Sequence, residues 1–346
     1  MATRRQTLAA LRDVSFESMG TDCKIVVLGG AEDLTFLAQT RVQELATLWT
    51  RFDASSELSR FNRNAGRVTR VSGDLMDLLR RGLAGYRLSA GVFDPFVESQ
   101  MLLAGYDRDF DQLPAAPLVV REQPVGQSSR APHAVGAITS SAARSGIGNA
   151  TVGPRTVAVR PPLNLDIRQR LAYLEPGAGF DSGGIGKGLG AQIVASELIG
   201  RGALGAMVSL GGDVAVAGSY PDQGWRIGVK DPFDEAQQAF HVTIRSGGLS
   251  TSSILKRRWA ISPGPGTTEP TVAHHLIDPA TGAPAEAAEF VAATAISPVA
   301  WRAEVFTKMV ILGGGALADS ITQRFGQVAL FAWDRRGSLE SFQRTS

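Results

Sequence analysis

A glycine-rich run with one lysine, from Asp181 to Gly190 (DSGGIGKGLG), is the segment best suited to bind phosphate. It lies between a predicted strand and a predicted helix. Glycine lets the backbone approach a ligand closely, and free N–H groups at a helix N-terminus attract phosphate. Lys187 adds a positive charge at the same place. The run predicts a diphosphate site, and the alternative is a tight turn at a helix start with Lys187 in solvent.

The run departs from one nucleotide-binding motif and fits another in part. A P-loop would need glycine at position 181 and serine or threonine at position 188, where the chain has Asp and Gly. Residues Gly186 to Ala191 fit the dinucleotide fingerprint, and Asp213 follows at about the distance of its ribose-binding acid, ~20 residues. Asp181 and Lys187 have no role in that motif. An NAD(P)-linked oxidoreductase stays open as an alternative.

Composition excludes several classes of protein. The chain has 346 residues, 44% of them hydrophobic, which is enough for a large core and unlike a disordered chain. A net charge of +2, without a basic stripe between aromatic residues, argues against nucleic acid as a partner. The single cysteine, Cys23, excludes a disulfide framework and a cysteine-based metal cluster.

The N-terminus gives one hint of a targeting signal. Arg4 and Arg5 resemble the start of a twin-arginine export signal. Arg12 and Asp13 interrupt the chain before an apolar region of about 7–15 residues could form. No apolar run reaches the roughly 18 residues that would predict a membrane span. We expect a cytoplasmic protein, and the sequence does not indicate its oligomeric state.

Hydrophobic periodicity predicts the elements that must position these residues. Helices are predicted at Asp33–Trp49, with Asp33 as N-cap, and at Ser72–Ser89, Ile185–Ile199 and Val299–Leu312. The second of these has its predicted inner face formed by Leu75, Leu78, Leu79 and Leu83. Strands are predicted at Phe16–Leu28, Leu171–Leu174, Ala206–Leu210, Val214–Ala217, Trp225–Val229, His241–Ile244, Leu249–Thr251, Phe290–Ile296 and Val328–Trp333. Arg51–Asn64 is polar and rich in turn residues.

Helices and strands mix without strict βαβ alternation, which favours an α+β fold. We predict a flexible N-terminus at residues 1–13 followed by a single domain at 14–346. Within it, residues 112–155 are rich in Ala, Pro, Ser, Gly and Arg and have little periodicity, which predicts a mobile surface insertion.

Several short blocks occur in a characteristic order between Phe16 and Gly313. They are Ser18–Thr21, Ser56–Asn62, Gly91–Pro95, Asp181–Gly188, Leu210–Asp213, Thr251–Ser253, His275–Gly282 and Ala303–Glu304. Together they resemble the FAD:protein FMN transferase family, also called the ApbE family. The resemblance implies a T-fold-like α+β enzyme with mixed sheets and an FAD cleft between its subregions. Such an enzyme splits FAD with Mg²⁺, releases AMP and leaves FMN esterified to a Thr or Ser of a target flavoprotein.

The resemblance also implies roles for individual residues. The FAD site would comprise Met19, Phe52, Val92, Phe93, Asp94, Asp181, Lys187, Thr251 and Ser252. The metal position would comprise Gly184, through its backbone carbonyl, with Glu304 and Lys308. His275 stands at the family's general base, and a histidine suits proton removal from a hydroxyl near neutral pH. The alternative for His275 is a loop histidine beside the turn at Asp278, and His274 is the less suitable of the pair.

One position departs from the family pattern, which has an acidic residue followed four positions later by Thr. Here Glu304 is followed by Lys308. Residues at i and i+4 share a helix face, so the Lys308 ammonium could pair with Glu304 and partly replace the metal. An ordinary surface ion pair is the alternative. A protein that binds FAD without transferring FMN therefore stays open as a second alternative.

Overall fold

The centre of the fold is an eight-stranded antiparallel sheet with helices packed against it. The computed structural model describes residues 10–114, 116, 160–261 and 271–344. The predicted α+β class is confirmed. The strands are β1 Leu11–Ser18, β2 Thr21–Leu28, β3 Val68–Arg70, β4 Leu163–Asp166, β5 Leu171–Leu174, β6 Gly205–Leu210, β7 Asp213–Gly218, β8 Trp225–Lys230, β9 Gln238–Ile244, β10 Gly247–Ser253, β11 Arg258–Ile261, β12 Thr271–His274, β13 Ile277–Asp278, β14 Ala283–Pro284, β15 Phe290–Ser297, β16 Ala329–Asp334 and β17 Leu339–Gln343.

The main sheet has the strand order β1-β2-β6-β7-β10-β15-β16-β17. Smaller antiparallel sheets pair β3, β5 and β4, and separately β8 with β9, β11 with β12 and β13 with β14. The helices are α1 Leu34–Trp49, α2 Glu57–Arg63, α3 Gly73–Leu88, α4 Glu98–Leu103, α5 Gly186–Gly200 and α6 Ala300–Arg324. Helix α5 packs on β6 and β7, and α6 packs on β10 and β15 beside it.

The prediction of one continuous strand over Phe16–Leu28 is wrong, because the chain reverses direction within this segment. Strands β1 and β2 form a hairpin with Ser18 opposite Thr21. Met19 and Gly20 make the turn, with φ angles of 55° and 63°. Two successive left-handed residues suit the twist of a two-residue hairpin, and Gly20 adopts this backbone without strain. Residues 11–13, predicted to be flexible, belong to β1, and residues 1–9 lie outside the described residues.

Two predictions about helices and turns also differ from the structure. The turn-rich segment 51–64 contains α2, whose N-cap Ser56 accepts a hydrogen bond from the Ser59 N–H. Helix α6 continues past Leu312 to Arg324 across a kink at Gly314, where φ is 71°. Most of the predicted insertion at 112–155 lies outside the described residues. Asp33 stands at the N-cap of α1 without a side-chain capping bond.

The buried positions of α3 follow the predicted pattern. Its N-cap Ser72 accepts a hydrogen bond from the Leu75 N–H, and the predicted inner leucines are buried. Helix α6 is long and apolar enough to cross a membrane, the one such helix within the described ranges. Its residues Ala303 to Ile311 are buried in the core against the sheet, as in the central helix of a globular fold.

Candidate active site

A cavity of about 420 Å³ lies where the glycine-rich run, the β1–β2 turn and the loop after α1 meet. This volume is within the range of small-molecule sites, roughly 300–1,000 Å³. The structure brings most of the predicted site residues to this one cavity. Those in its lining are Met19, Phe52, Phe93, Asp94, Asp181, Gly184, Lys187, His275 and Lys308.

The other four predicted site residues do not line the cavity. Val92 packs against the hydrophobic core. Thr251 shares a hydrogen bond of 2.8 Å with Thr294 on the neighbouring strand. Ser252 is buried against α6, where its hydroxyl bonds the Thr307 hydroxyl at 2.7 Å. Glu304 is fully buried. The hydroxyl groups of Thr251 and Ser252 are bonded to neighbouring elements, and their direct contact with a ligand stays a prediction.

The glycine-rich run is a compact turn held by side-chain bonds. Asp181 Oδ1 accepts a hydrogen bond from the Gly183 N–H at 2.6 Å. The Ser182 hydroxyl donates to the Trp49 carbonyl at 2.8 Å. Helix α5 then begins at Gly186. A Cβ on Gly188 would lie 3.0 Å from Glu304 Oε2 and 3.1 Å from the Ala300 carbonyl, so glycine permits the close approach of α5 and α6.

Arg51 is a central residue of the cavity that sequence reasoning missed. Its Nε lies 2.7 Å from Asp181 Oδ2, and both side chains are less than 10% exposed. Its guanidinium donates to the Tyr106 carbonyl at 2.7 Å and lies 4.3 Å and 4.5 Å from the ring centroids of Phe52 and Tyr106. A buried cation on two aromatic faces fixes both the rings and the glycine turn. The only sequence signal was an arginine directly before a predicted site residue.

Arg257 is a second cation in the lining that the sequence did not indicate. Its backbone is left-handed, with a φ of 50°. Its guanidinium donates to the Gly20 carbonyl at 3.1 Å, at the turn between β1 and β2. The residue therefore ties the Met19–Gly20 turn to the cavity wall and adds positive charge there.

Four charged side chains form a cluster beneath the cavity, called here the cavity floor, of which only Lys187 and Lys308 reach the lining. Lys187 donates a hydrogen bond to Asp213, which is almost fully buried. Glu304 Oε2 accepts a hydrogen bond of 2.7 Å from the Gly188 N–H in the first turn of α5. Glu304 Oε1 has no hydrogen bond, and it lies 3.6 Å from Lys187 Nζ and 3.5 Å from Lys308 Nζ. The i, i+4 ion pair predicted from the sequence is present, and it is buried rather than on the surface.

Burial and mutual attraction shift the pKa values of this group in different directions. Burial lowers the pKa of Lys308, against the opposing effect of Glu304. Burial raises the pKa of Glu304, and the nearby charge of Asp213 raises it further. For Lys187 burial acts to lower the pKa, but Asp213 and Glu304 outweigh it and the pKa is raised. Lys187 therefore stays charged at neutral pH.

His275, and not its neighbour His274, lines the cavity. Burial, followed by the positive charge of Arg257, holds the pKa of His275 well below its ordinary value. Its imidazole is therefore neutral and able to accept a proton. His274 is fully buried, and its Nδ1 accepts a hydrogen bond from the Leu276 N–H at 3.2 Å. That bond gives His274 a structural role beneath the loop.

The dinucleotide fingerprint does not have its required surroundings. The pairings of the main sheet are all antiparallel, whereas that motif belongs to a parallel βαβ unit. Asp213, the expected ribose-binding acid, is buried and bonded to Lys187 and to the Ser250 hydroxyl. It is not available to a ribose, so the NAD(P)-linked alternative is not supported.

The family model of the ApbE family matches residues 19–331. A curated relative, the FAD:protein FMN transferase of Klebsiella pneumoniae (strain 342), is 28% identical over 176 residues. That alignment covers 48% of this chain and 49% of the relative, so it spans about half the length of each.

Solved structures resemble the whole fold. The ApbE protein of Thermotoga maritima superposes with a TM-score of 0.71 at 19% identity, covering 96% of this chain and 97% of that one. The flavin transferase ApbE of Vibrio cholerae gives 0.67 at 19% identity and covers 98% of both chains. The apo form of the Pseudomonas stutzeri flavinyl transferase ApbE gives 0.67 at 20% identity, covering 96% and 95%. At these identities the likeness concerns the fold.

Proposed function

Because this chain belongs to the ApbE family, we propose that it is a flavin transferase that cleaves FAD and transfers the FMN half to a target flavoprotein. The acceptor is a Thr or Ser hydroxyl, the product is a phosphoester, and AMP is released. The observation that carries this proposal is that Lys187 and His275 line the same cavity beside the start of α5. A cation for the diphosphate and a neutral base for the hydroxyl are what such a transfer requires.

The reaction would proceed by displacement at the FMN phosphorus. The acceptor hydroxyl gives its proton to His275, and its oxygen forms the new bond to phosphorus as the bond to the AMP oxygen breaks. Lys187, in the cavity lining, would stabilise the charge that builds up on the phosphate oxygens, as positioned cations do. The diphosphate would offset the nearby positive charges that lower the pKa of His275, so the imidazole would become a stronger base when FAD is bound.

Aromatic residues at the cavity suit the ring systems of FAD. Phe52 and Tyr106 pack with their centroids 5.3 Å apart, and Tyr106 packs on Trp259 at 4.9 Å. Phe93 and Met19 also line the cavity. Flat apolar side chains of this kind provide contact area for a planar ring with little loss of side-chain freedom. They support a flavin or adenine as the ligand.

Magnesium, which the family resemblance implied, was expected at Gly184, Glu304 and Lys308. Mg²⁺ takes oxygen ligands in a tight octahedron. The unbonded oxygen of Glu304 instead has two lysine ammonium groups within 3.6 Å, and Lys308 cannot serve as an oxygen ligand. No group of three or more His, Cys, Asp or Glu side chains that could hold a metal occurs within the described ranges. The residues do not fit a protein-held magnesium ion, and no step of the proposed reaction depends on one.

Incubation with FAD and a flavoprotein domain that carries an acceptor Thr tests the proposal. We expect covalent flavin on the acceptor, seen as in-gel fluorescence and as a mass increase of one FMN group, together with AMP. His275→Ala should abolish transfer while FAD still binds. His241→Ala, at an exposed position of β9, is the matched control and should transfer at the wild-type rate. Transfer at that rate by His275→Ala would remove His275 from the mechanism.

A protein that binds FAD without transferring FMN is the second candidate function. Lys308 is the residue that favours it, because its ammonium lies 3.5 Å from Glu304 Oε1, at the position where the family pattern has Thr. This candidate predicts tight FAD binding, no covalent flavin on any acceptor and no AMP. The same incubation therefore separates the two functions.

A further inference from the structure

The charges at the cavity floor balance without any added ion. Two ammonium groups, from Lys187 and Lys308, lie among two carboxylates, from Asp213 and Glu304. These carboxylates are at most 1% exposed, and Lys308 is 6% exposed. Buried charges persist only where opposite charges and hydrogen bonds compensate them.

Lys308 is held in place by bonds other than its ion pair. Its Nζ donates to the Glu304 carbonyl at 3.2 Å and to the Ser252 hydroxyl at 3.4 Å. Ser252 is itself bonded to Thr307, so the hydroxyl that receives the ammonium is fixed. A Cβ on Gly184 would lie 3.5 Å from Lys308 Cε, so the side chain runs directly beneath the glycine turn.

The ammonium therefore lies 3.5 Å from the unbonded carboxylate oxygen of Glu304, on a side chain that lines the cavity. A divalent cation bound to that oxygen would lie within a few ångströms of both ammonium groups, and like charges at such distances repel strongly. An ammonium group has three N–H donors, and the bonds of Lys308 to the Glu304 carbonyl and the Ser252 hydroxyl leave one for the Glu304 carboxylate or for an anion in the cavity.

We propose that Lys308 is the resident cation of this site, which takes the place of a divalent metal ion at Glu304. The chain then binds and processes a dinucleotide diphosphate without a metal held by the protein. This inference rests on the proposed function for the identity of the ligand, but not for the absence of metal binding at Glu304.

Binding of Mn²⁺ to the protein alone, followed by electron paramagnetic resonance, tests the inference directly. We expect no stoichiometric Mn²⁺ site in the wild-type chain. Lys308→Thr removes the charge and leaves a hydroxyl oxygen on the Glu304 face of α6, so it should bind one Mn²⁺ at least tenfold more tightly than wild type. Adding Glu304→Gln to that variant should abolish the new site. Lys256→Thr, at an exposed lysine paired with Glu235, is the matched control and should behave as wild type.

The wild-type titration decides the matter even if Lys308→Thr fails to fold, which circular dichroism would reveal. One tight Mn²⁺ per wild-type chain that Glu304→Gln removes would overturn the inference. So would a folded Lys308→Thr that binds Mn²⁺ no better than wild type.

Transfer assays with and without a chelator separate this inference from the proposed function. We expect equal covalent flavin transfer with EDTA and with added Mg²⁺. Transfer that stops with EDTA and returns with Mg²⁺ would overturn the inference and leave the proposed function intact. Absence of transfer under both conditions would overturn the proposed function, while the Mn²⁺ titration would still decide the role of Lys308.

Discussion

The buried ion pair between Arg51 and Asp181 joins the end of α1 to the glycine turn, 130 positions further along the chain. Arg51→Met keeps most of the side-chain volume but removes the charge, the bond to the Tyr106 carbonyl and the contact with two rings. Asp181→Asn removes the opposite charge but keeps Oδ1 as the acceptor for the Gly183 N–H. These two substitutions and their combination form a double-mutant cycle.

The expected magnitude follows from burial. Removing one member of a buried ion pair costs about 3–5 kcal/mol, because the other charge is left uncompensated. The two cation–π contacts of Arg51 add roughly 1 kcal/mol. Arg51→Met should therefore lower the free energy of unfolding by about 4 kcal/mol. The double variant leaves no lone charge, so its loss should be smaller than the sum of the single losses by about 2 kcal/mol.

Urea unfolding, followed by tryptophan fluorescence and circular dichroism, measures these free energies. Arg80→Met is the matched control, because Arg80 pairs with Asp77 at 2.5 Å but both side chains are about 40% exposed. Arg80→Met should lower the free energy of unfolding by less than about 1 kcal/mol. A loss of less than 1 kcal/mol for Arg51→Met, or simple additivity in the cycle, would refute the argument that this pair holds the glycine turn.

Three further predictions follow from the site and its surroundings. Lys187→Met should weaken FAD affinity at least tenfold in a flavin-fluorescence titration. Lys256→Met, at an exposed position, should leave the affinity unchanged. Equal FAD affinities of Lys187→Met and the wild type would remove Lys187 from the site. Burial lowers the pKa of His274 to about 4 in the folded protein, below its value in the unfolded chain. Because the unfolded chain then binds more protons, the stability of the fold decreases as the pH drops below about 6.5. Between pH 7 and pH 5 the free energy of unfolding should fall by about 2 kcal/mol more in the wild type than in His274→Asn. The Asn side chain keeps an acceptor near the position of Nδ1. Parallel pH profiles of the two proteins would contradict this prediction. Gly188→Ala should destabilise the fold by about 1–3 kcal/mol in the same urea assay, because the added Cβ would lie 3.0 Å from Glu304 Oε2. An unchanged free energy of unfolding would show that α5 and α6 can move apart.

Patterns of hydrophobic residues within short segments were sufficient to predict many helices and strands of the fold. The period of leucines in α3 predicted the helix and its buried face, since both depend on residues within a few turns. Strand β5 was predicted with the bounds that it has in the structure. The hairpin of β1 and β2 was missed because its alternating pattern continues on both sides of the turn. Gly20 was the one available signal, and its neighbour Met19 is an unusual residue in a left-handed conformation.

The sequence by itself determined the types of residue at the site, the glycine-rich start of α5 and the family to which the chain belongs. Only the tertiary structure decided which of these residues share a cavity. Arg51 reaches Asp181, and the N–H of Gly188 reaches Glu304 across 116 positions, because antiparallel strand order brings distant segments together. Lys308 was equally compatible with a solvated ion pair and with a cation at the floor of the site. Burial of α6 against the sheet decided between them, since the cost of a buried charge depends on every neighbour that surrounds it.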